Sequence, residues 1–167
     1  MATVYQQWTA DAAKLPTSGF PQLVRANGTN FPVPGYAFDA SSDETFYFDF
    51  SAENYGSGNV TVEVWWYAAN ATSGVVRWSA AIAAITPDTD STDIETKAFG
   101  TAATFDDTHL GTTGKRLHRA SITVSSLDSL AARDDVRLKV ARVASNGADT
   151  MANDAVAVRV IASYSDT

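Results

Sequence analysis

Residues 59–69, NVTVEVWWYAA, decide the fold. Val60, Val62, Val64 and Trp66 occupy one phase of a two-residue period, while Thr61, Glu63, Trp65 and Tyr67 occupy the other. Such alternation marks a β-strand with one face on a core and the other turned outward. The pattern recurs down the chain. Strands are expected at about 33–39, 45–52, 59–69, 74–85, 95–105, 116–125, 135–144 and 154–164. Their apolar phases are Phe46, Phe48 and Phe50; Val76, Trp78 and Ile82; His118, Ala120, Ile122 and Val124; Val136, Leu138 and Val140; and Val156, Val158 and Val160. β-branched and aromatic residues dominate, as strands prefer.

Turn chemistry separates these segments: Ser41-Ser42-Asp43, Asn54-Tyr55-Gly56-Ser57-Gly58, Asn70-Ala71-Thr72-Ser73-Gly74 and Ser145-Asn146-Gly147. Residues 86–94, TPDTDSTDI, read as an acidic surface loop. Residues 126–133 read as one helical turn, with Ser126 as its cap and Leu127 and Leu130 packed under the sandwich. The fold expected is all-β, a two-sheet antiparallel jelly-roll sandwich of about eight strands with an extended N-terminal arm. An immunoglobulin sandwich would have seven strands and, in antibody domains, a cysteine pair that this chain lacks. The long stretch 86–115 is expected to connect the two Greek-key halves.

The domain is assigned to residues 34–167 and the arm to residues 1–33. Four of the five prolines, Pro16, Pro21, Pro32 and Pro34, lie in or next to this arm, where alternation is absent. Short edge strands are expected in it, anchored by Tyr5, Trp8, Phe20 and Leu23, and lying on its own domain or on a neighbouring subunit.

A chain of 167 residues suits one domain, large enough to bury a core without staples. With no cysteine there is neither a disulfide framework nor a thiolate metal site nor a thiol nucleophile. A net charge of −7 argues against a phosphate-backbone partner, since only Lys115, Arg116 and Arg119 form a tight basic group. The N-terminal residues MATVYQQWTADAAK lack a signal-peptide pattern, and the apolar run Ala80–Ile85 is too short for a membrane span. Neither a nucleic acid nor a membrane is expected as partner, and synthesis is expected in the cytoplasm.

No nucleophile–base pair, metalloprotease spacing or phosphate-binding glycine loop occurs, so no catalytic residue, metal site or cofactor is assigned and no enzymatic activity is expected. His109 reads as a solvated loop histidine and His118 as wall or edge of the core. Asp88, Asp90, Asp93 and Glu95 alternate as calcium ligands do, but the glycine and distal glutamate of an EF-hand loop are missing, which favours a solvated loop. Glu63 and Asp49 are expected on one outer sheet face with Arg77, Arg119, Arg137, Lys139 and Arg159, as cross-strand ion pairs rather than glycosidase carboxylates. Trp65, Tyr67 and Tyr47 fall opposite the core phase, where they stack on sugar rings, fill a protein interface or lie under the arm. Tyr5, Trp8, Trp65 and Tyr67 are the candidate interface residues.

The stretch PGYAFDASSDETFYFDFSAENYGSGNVTVEVWWYAANATSGVVRW, followed by AAIAAI, resembles small structural proteins of tailed bacteriophages. The resemblance lies in the aromatic strand Phe46–Phe50, the Tyr-x-x-Gly turn Tyr55–Gly58, the V-x-V-x-W strand Val62–Trp66 and the hairpin Ala69–Trp78. It continues through Leu130–Val143 and Ala148-Asp149-Thr150, with Ala132-Arg133-Asp134 where a proline-glycine turn is expected. It implies a virion protein of jelly-roll type, either a capsid decoration (cement) protein or a tail-fibre receptor-binding head, acting as a homotrimer. Decoration is the preferred reading, with the major capsid protein as partner and the capsid surface as location. A receptor-binding head or a carbohydrate-binding module is the alternative.

Overall fold

A computed structural model describes residues 1–167. Ten strands form: β1 (Thr3–Thr9), β2 (Gln22–Asn27), β3 (Pro32–Phe38), β4 (Glu44–Ser51), β5 (Tyr55–Ala68), β6 (Gly74–Ile85), β7 (Ala103–His109), β8 (His118–Val124), β9 (Asp135–Arg142) and β10 (Ala155–Asp166). All pairings are antiparallel. One sheet runs β2-β3-β10-β5-β8, with β1 sharing the edge of β10 that β3 occupies, and the other runs β4-β9-β6-β7. Strands β3 to β10 thus distribute between two sheets in the order of a jelly roll.

The alternation in β5 is the reason the sheets stack. Val60, Val62, Val64 and Trp66 are fully buried, and they meet Phe46 and Phe48 of β4, Trp78 and Ile82 of β6, and Val136, Leu138 and Val140 of β9 in one continuous core. The aromatic side chains interlock edge to face, with Phe38 and Phe46 at 4.9 Å and Phe38 and Trp78 at 5.1 Å. The Trp66 indole donates to Asp107 Oδ2 at 2.7 Å, so its polar atom is satisfied at the core edge.

Residues 1–33 contribute to the same structure. β1 pairs with Arg159–Ser165 of β10, and β2 pairs with β3. Pro32 and Pro34 lie on the part of β3 that β10 does not reach, since β10 pairs only with Tyr36, Ala37 and Phe38. Their missing donors therefore break no central ladder.

Three expectations need correction. The strand placed at 95–105 lies at Ala103–His109, because residues 95–102 run as turn and irregular chain after the acidic loop. No helix forms at 126–133. Asp128, Ser129 and Arg133 adopt positive φ there, which breaks a right-handed turn, while Leu130 is still buried and Leu127 packs on the core. Val156 and Val158 do not continue the core phase of Val160. A β-bulge between Ala157 and Arg159 shifts the register, so Ala155, Ala157 and Val160 face the core while Val156 and Val158 turn outward.

The burial of β5 predicts an asymmetry. Trp66→Ala should cost about 3–5 kcal/mol in urea unfolding, whereas Thr61→Ala should stay within about 1 kcal/mol. Equal costs would contradict the register.

Candidate functional site

The outer face of the six-stranded sheet is organised in cross-strand rows. Trp65 on β5 stands opposite Arg119 on β8 and Arg159 on β10. The neighbouring row holds Ser121, Glu63, Ile161 and Gln7, and the next Thr123, Thr61, Ser163 and Tyr5. Of the four aromatic residues singled out in the sequence, this face brings Tyr5, Trp65 and Tyr67 together. Trp8 belongs to the other side: its ring stacks at 5.1 Å on Phe48 and lies 5.8 Å from Phe50, closing the edge of the core.

A cleft opens where β10 bulges. Its volume is about 590 Å³; Tyr67, Ala37 and Val156 form the floor, Val24 and Ala26 of β2 one wall, Ala69 and Lys115 the other, and Asn153 and Asp154 close the end. Beside it lies a smaller depression of about 260 Å³ lined by Phe31, Val33, Leu117 and Val158. Gly35 makes this geometry possible, since a Cβ there would stand 2.6 Å from the Ala157 carbonyl oxygen and 2.8 Å from Val156 Cγ1. The alternation of β5 puts Tyr67 outward, and the structure does so, but the side chain is only 6 % exposed, as Ala37 and Val156 pack beside it. Burial pushes its hydroxyl pKa up and keeps it a neutral donor.

The Trp65 indole donates to Glu63 Oε2 at 3.0 Å, and Arg119 Nη1 approaches Glu63 Oε1 at 3.7 Å. The Arg159 guanidinium carbon lies 5.7 Å over the Trp65 ring, and its Nη1 donates to Gln7 Oε1 at 3.3 Å. Glu63 and Asp49 do not share a face, contrary to expectation, because β4 and β5 belong to different sheets. Arg119 and Arg159 accompany Glu63, whereas Asp49 pairs with Lys14 and with Arg137 at 3.7 Å on the opposite outer face. Tyr47 lies there too, bridged by the backbone of Lys14 and 5.9 Å from the Phe99 ring.

The end of the cleft is held by a residue that the sequence reading passed over. Arg142 continues the core phase of Val136, Leu138 and Val140 and is fully buried. Its Nε and Nη2 donate to Asp149 at 2.9 and 2.8 Å, and its remaining donors reach the carbonyl oxygens of Met151 at 2.7 Å, Asn153 at 2.9 Å and Phe38 at 3.2 Å. Asp149 Oδ2 also accepts from the Arg77 backbone at 3.0 Å. A charged residue in an apolar phase was the signal available, paired with Asp149 in a turn.

The two histidines meet behind the other wall. His109 is not a solvated loop residue: it is fully buried, because β7 runs on to it and places its ring 4.5 Å from His118, beside Trp66. His118 lies at the core edge as expected. His109 Nδ1 accepts from Gly111 at 3.1 Å, and neither Nε2 has a hydrogen-bond partner of regular geometry. Burial, then the Arg116 charge, pulls His109 below its usual pKa, with the Thr72 backbone countering in part. His118 is lowered by burial, then by His109, with Asp107 opposing and Arg116 adding to the effect. In the acidic loop, Asp90 accepts from Thr86 and pairs with Lys97, while Asp93 caps Glu95. Those oxygens serve the turn itself.

No protein-family model matches this sequence, and no curated protein matches it either. Solved structures share the fold. An exo-β-1,3-galactanase from Phanerochaete chrysosporium, solved with galactose, superposes with a TM-score of 0.53 at 12% identity over 95% of this chain; the match spans 29% of the galactanase. The CBM36-1 domain of a multidomain xylanase from the hindgut metagenome of Trinervitermes trinervoides gives a TM-score of 0.51 at 8% identity, covering 98% of this chain and 100% of the domain. These likenesses establish the β-sandwich jelly-roll architecture.

Two outcomes follow from the buried charges. Asp149→Ala should destabilise the protein by about 3–5 kcal/mol, since it leaves a buried guanidinium without its counter-ion. For the histidines, the folded state favours the neutral form, so the unfolded chain takes up protons first as pH falls. Stability from this pair is complete above the ordinary histidine pKa of about 6.5 and declines below it, with up to about 1.4 kcal/mol per pH unit from each histidine. Urea midpoints between pH 7.5 and 5.5 should fall for the wild type, and His118→Gln should flatten that slope. An unchanged slope would exclude the pair as its source.

Proposed function

We propose that this protein is a non-catalytic recognition domain that takes a glycan chain on the outer face of its six-stranded sheet. One observation carries the reading: a cleft with an apolar, aromatic floor at Tyr67 has Asn153, Asp154 and Lys115 at its rim, and Trp65, two residues along the same outward phase of β5, lines a second depression on that face. Sugars present apolar C–H faces and polar hydroxyl edges, and a site with one apolar surface and a few placed polar groups suits both. Fold-level analogy with the xylanase domain and the galactanase is compatible with such a role, while the residues of the cleft are what argue for it.

A second reading is a phage virion protein, a homotrimeric capsid decoration protein seated on the major capsid protein at the capsid surface. The observation favouring it is the set of exposed apolar side chains Leu23, Phe31, Leu110 and Leu117, with Tyr5 on the same sheet. Contacts of that kind resist salt. The two readings meet in a receptor-binding head, which would be both virion protein and glycan binder.

A glycan array tests the first reading. Reproducible hits are expected, with Trp65→Ala reducing their affinity about tenfold or more. An array without hits would overturn the reading. For the second, quantitative mass spectrometry of virions should count hundreds of copies for decoration and a dozen or so for a tail location.

A further inference from the structure

We infer that the glycan taken by this face is acidic, carrying a carboxylate that Arg119 and Arg159 receive on either side of Trp65. The inference rests on the glycan reading above and specifies its substrate class.

The argument is one of unmatched charge. The protein carries a net charge of −7, and six of its twelve Lys and Arg side chains have a carboxylate at ion-pair distance. Arg77 pairs with Asp106 at 2.9 Å, Arg137 with Asp135 at 2.6 Å, Lys97 with Asp128 and Asp90 at 3.3 and 3.4 Å, and buried Arg142 with Asp149 at 2.8 Å. On the outer face of the six-stranded sheet this matching is weaker. Lys115 and Arg159 have no carboxylate at ion-pair distance, and Arg119, 64% exposed, meets only Glu63 at 3.7 Å. Glu63 is already engaged, since its other oxygen accepts from the Trp65 indole. Two arginines therefore neighbour an aromatic ring beside one committed carboxylate, while Lys115 lines the adjoining cleft at Tyr67.

The register makes this arrangement a receptor for one residue. Arg119 and Arg159 are the direct cross-strand neighbours of Trp65, one on each side, with the Arg159 guanidinium over the indole and that of Arg119 near Glu63. A guanidinium held over an aromatic face keeps its N–H donors at its rim, where a carboxylate can accept two of them side by side. A uronate-type sugar supplies what the row lacks: an apolar ring face for Trp65 and Leu117, and a carboxylate for the two arginines. A neutral sugar would leave Arg159 without a carboxylate and Arg119 with only its 3.7 Å contact to Glu63.

The test is affinity electrophoresis and calorimetry on the full chain. The probes are polygalacturonate, its methyl ester and heparin, each at about 0.05 and 0.5 M NaCl. Polygalacturonate should bind more tightly than its ester, and high salt should narrow the difference. Arg119→Gln and Arg159→Gln should each weaken polygalacturonate binding by about tenfold and the ester by distinctly less, so that the preference for the acid shrinks, while Trp65→Ala weakens both. Urea midpoints of the arginine variants serve as the folding control. Equal binding of acid and ester, or indifference to both arginine substitutions, would overturn the acidic assignment and leave glycan binding standing. Heparin binding more tightly than polygalacturonate, with the same loss in the variants, would overturn the carboxylate in favour of a sulfate. Failure of every glycan probe would overturn both the inference and the reading beneath it.

Discussion

The ion pair between Arg142 and Asp149 is the constraint on which the rest of the molecule depends. Both side chains are essentially without solvent contact, so neither tolerates the loss of the other. What makes burial of the pair sustainable is completeness: Arg142 reaches three backbone carbonyl oxygens besides the carboxylate, and Asp149 also accepts from the Arg77 backbone. These bonds join β9, β6, the end of β3 and the segment 149–153 leading into β10. The jelly roll places those elements in both sheets, and one residue ties them at the same end of the sandwich. That end closes the cleft, because Asn153, which gives its carbonyl oxygen to Arg142, also lines it.

From this anchored segment β10 enters the sheet and bulges at Ala157–Arg159. The bulge turns Val156 and Val158 outward, and Gly35 leaves room for them. Without that shift Ala157 rather than Val156 would stand beside Tyr67, and the floor would lose its branched side chains. The bulge also fixes where Arg159 falls, directly across from Trp65. Fold and site thus share one backbone irregularity.

The sandwich was legible because burial is one-sided. Wherever a strand has a single buried face, the period of two is visible, as in β4, β5, β8 and β9. Legibility failed where a non-local contact decided the outcome. The bulge in β10 cannot be read from AVAVRVIA, which alternates without a break. His109 follows two aspartates and a threonine, a polar context, and is buried because β8 brings His118 and β5 brings Trp66 against it. Glu63 and Asp49 have the same phase in their own strands, yet β4 and β5, though consecutive in the chain, belong to different sheets. The aromatic candidates were found from phase alone. Their grouping was not, since Trp8 shares a strand with Tyr5 and points the other way.

The two outer faces differ for a reason rooted in the N-terminal segment. After β1 the chain crosses through the buried Ala10 and runs beside β4, where Lys14 and Tyr47 exchange backbone hydrogen bonds at 2.8 and 2.9 Å and Thr45 donates to Gly19 at 2.8 Å. It therefore covers the free edge of the four-stranded sheet, which would otherwise offer unpaired backbone groups. It then returns as β2 to widen the six-stranded sheet and build the wall of the cleft. One segment thus closes the first sheet and extends the second. The four-stranded face is laced by the pairs of Arg77, Arg137 and Lys14, with Lys139 left unpaired, whereas beside Trp65 Arg119 meets Glu63 at 3.7 Å and Arg159 has no carboxylate partner. Largely matched charge is what a fold needs for itself. Unmatched charge around an aromatic ring, on a face widened by the chain's own N-terminal strands, is what recognition of another molecule requires.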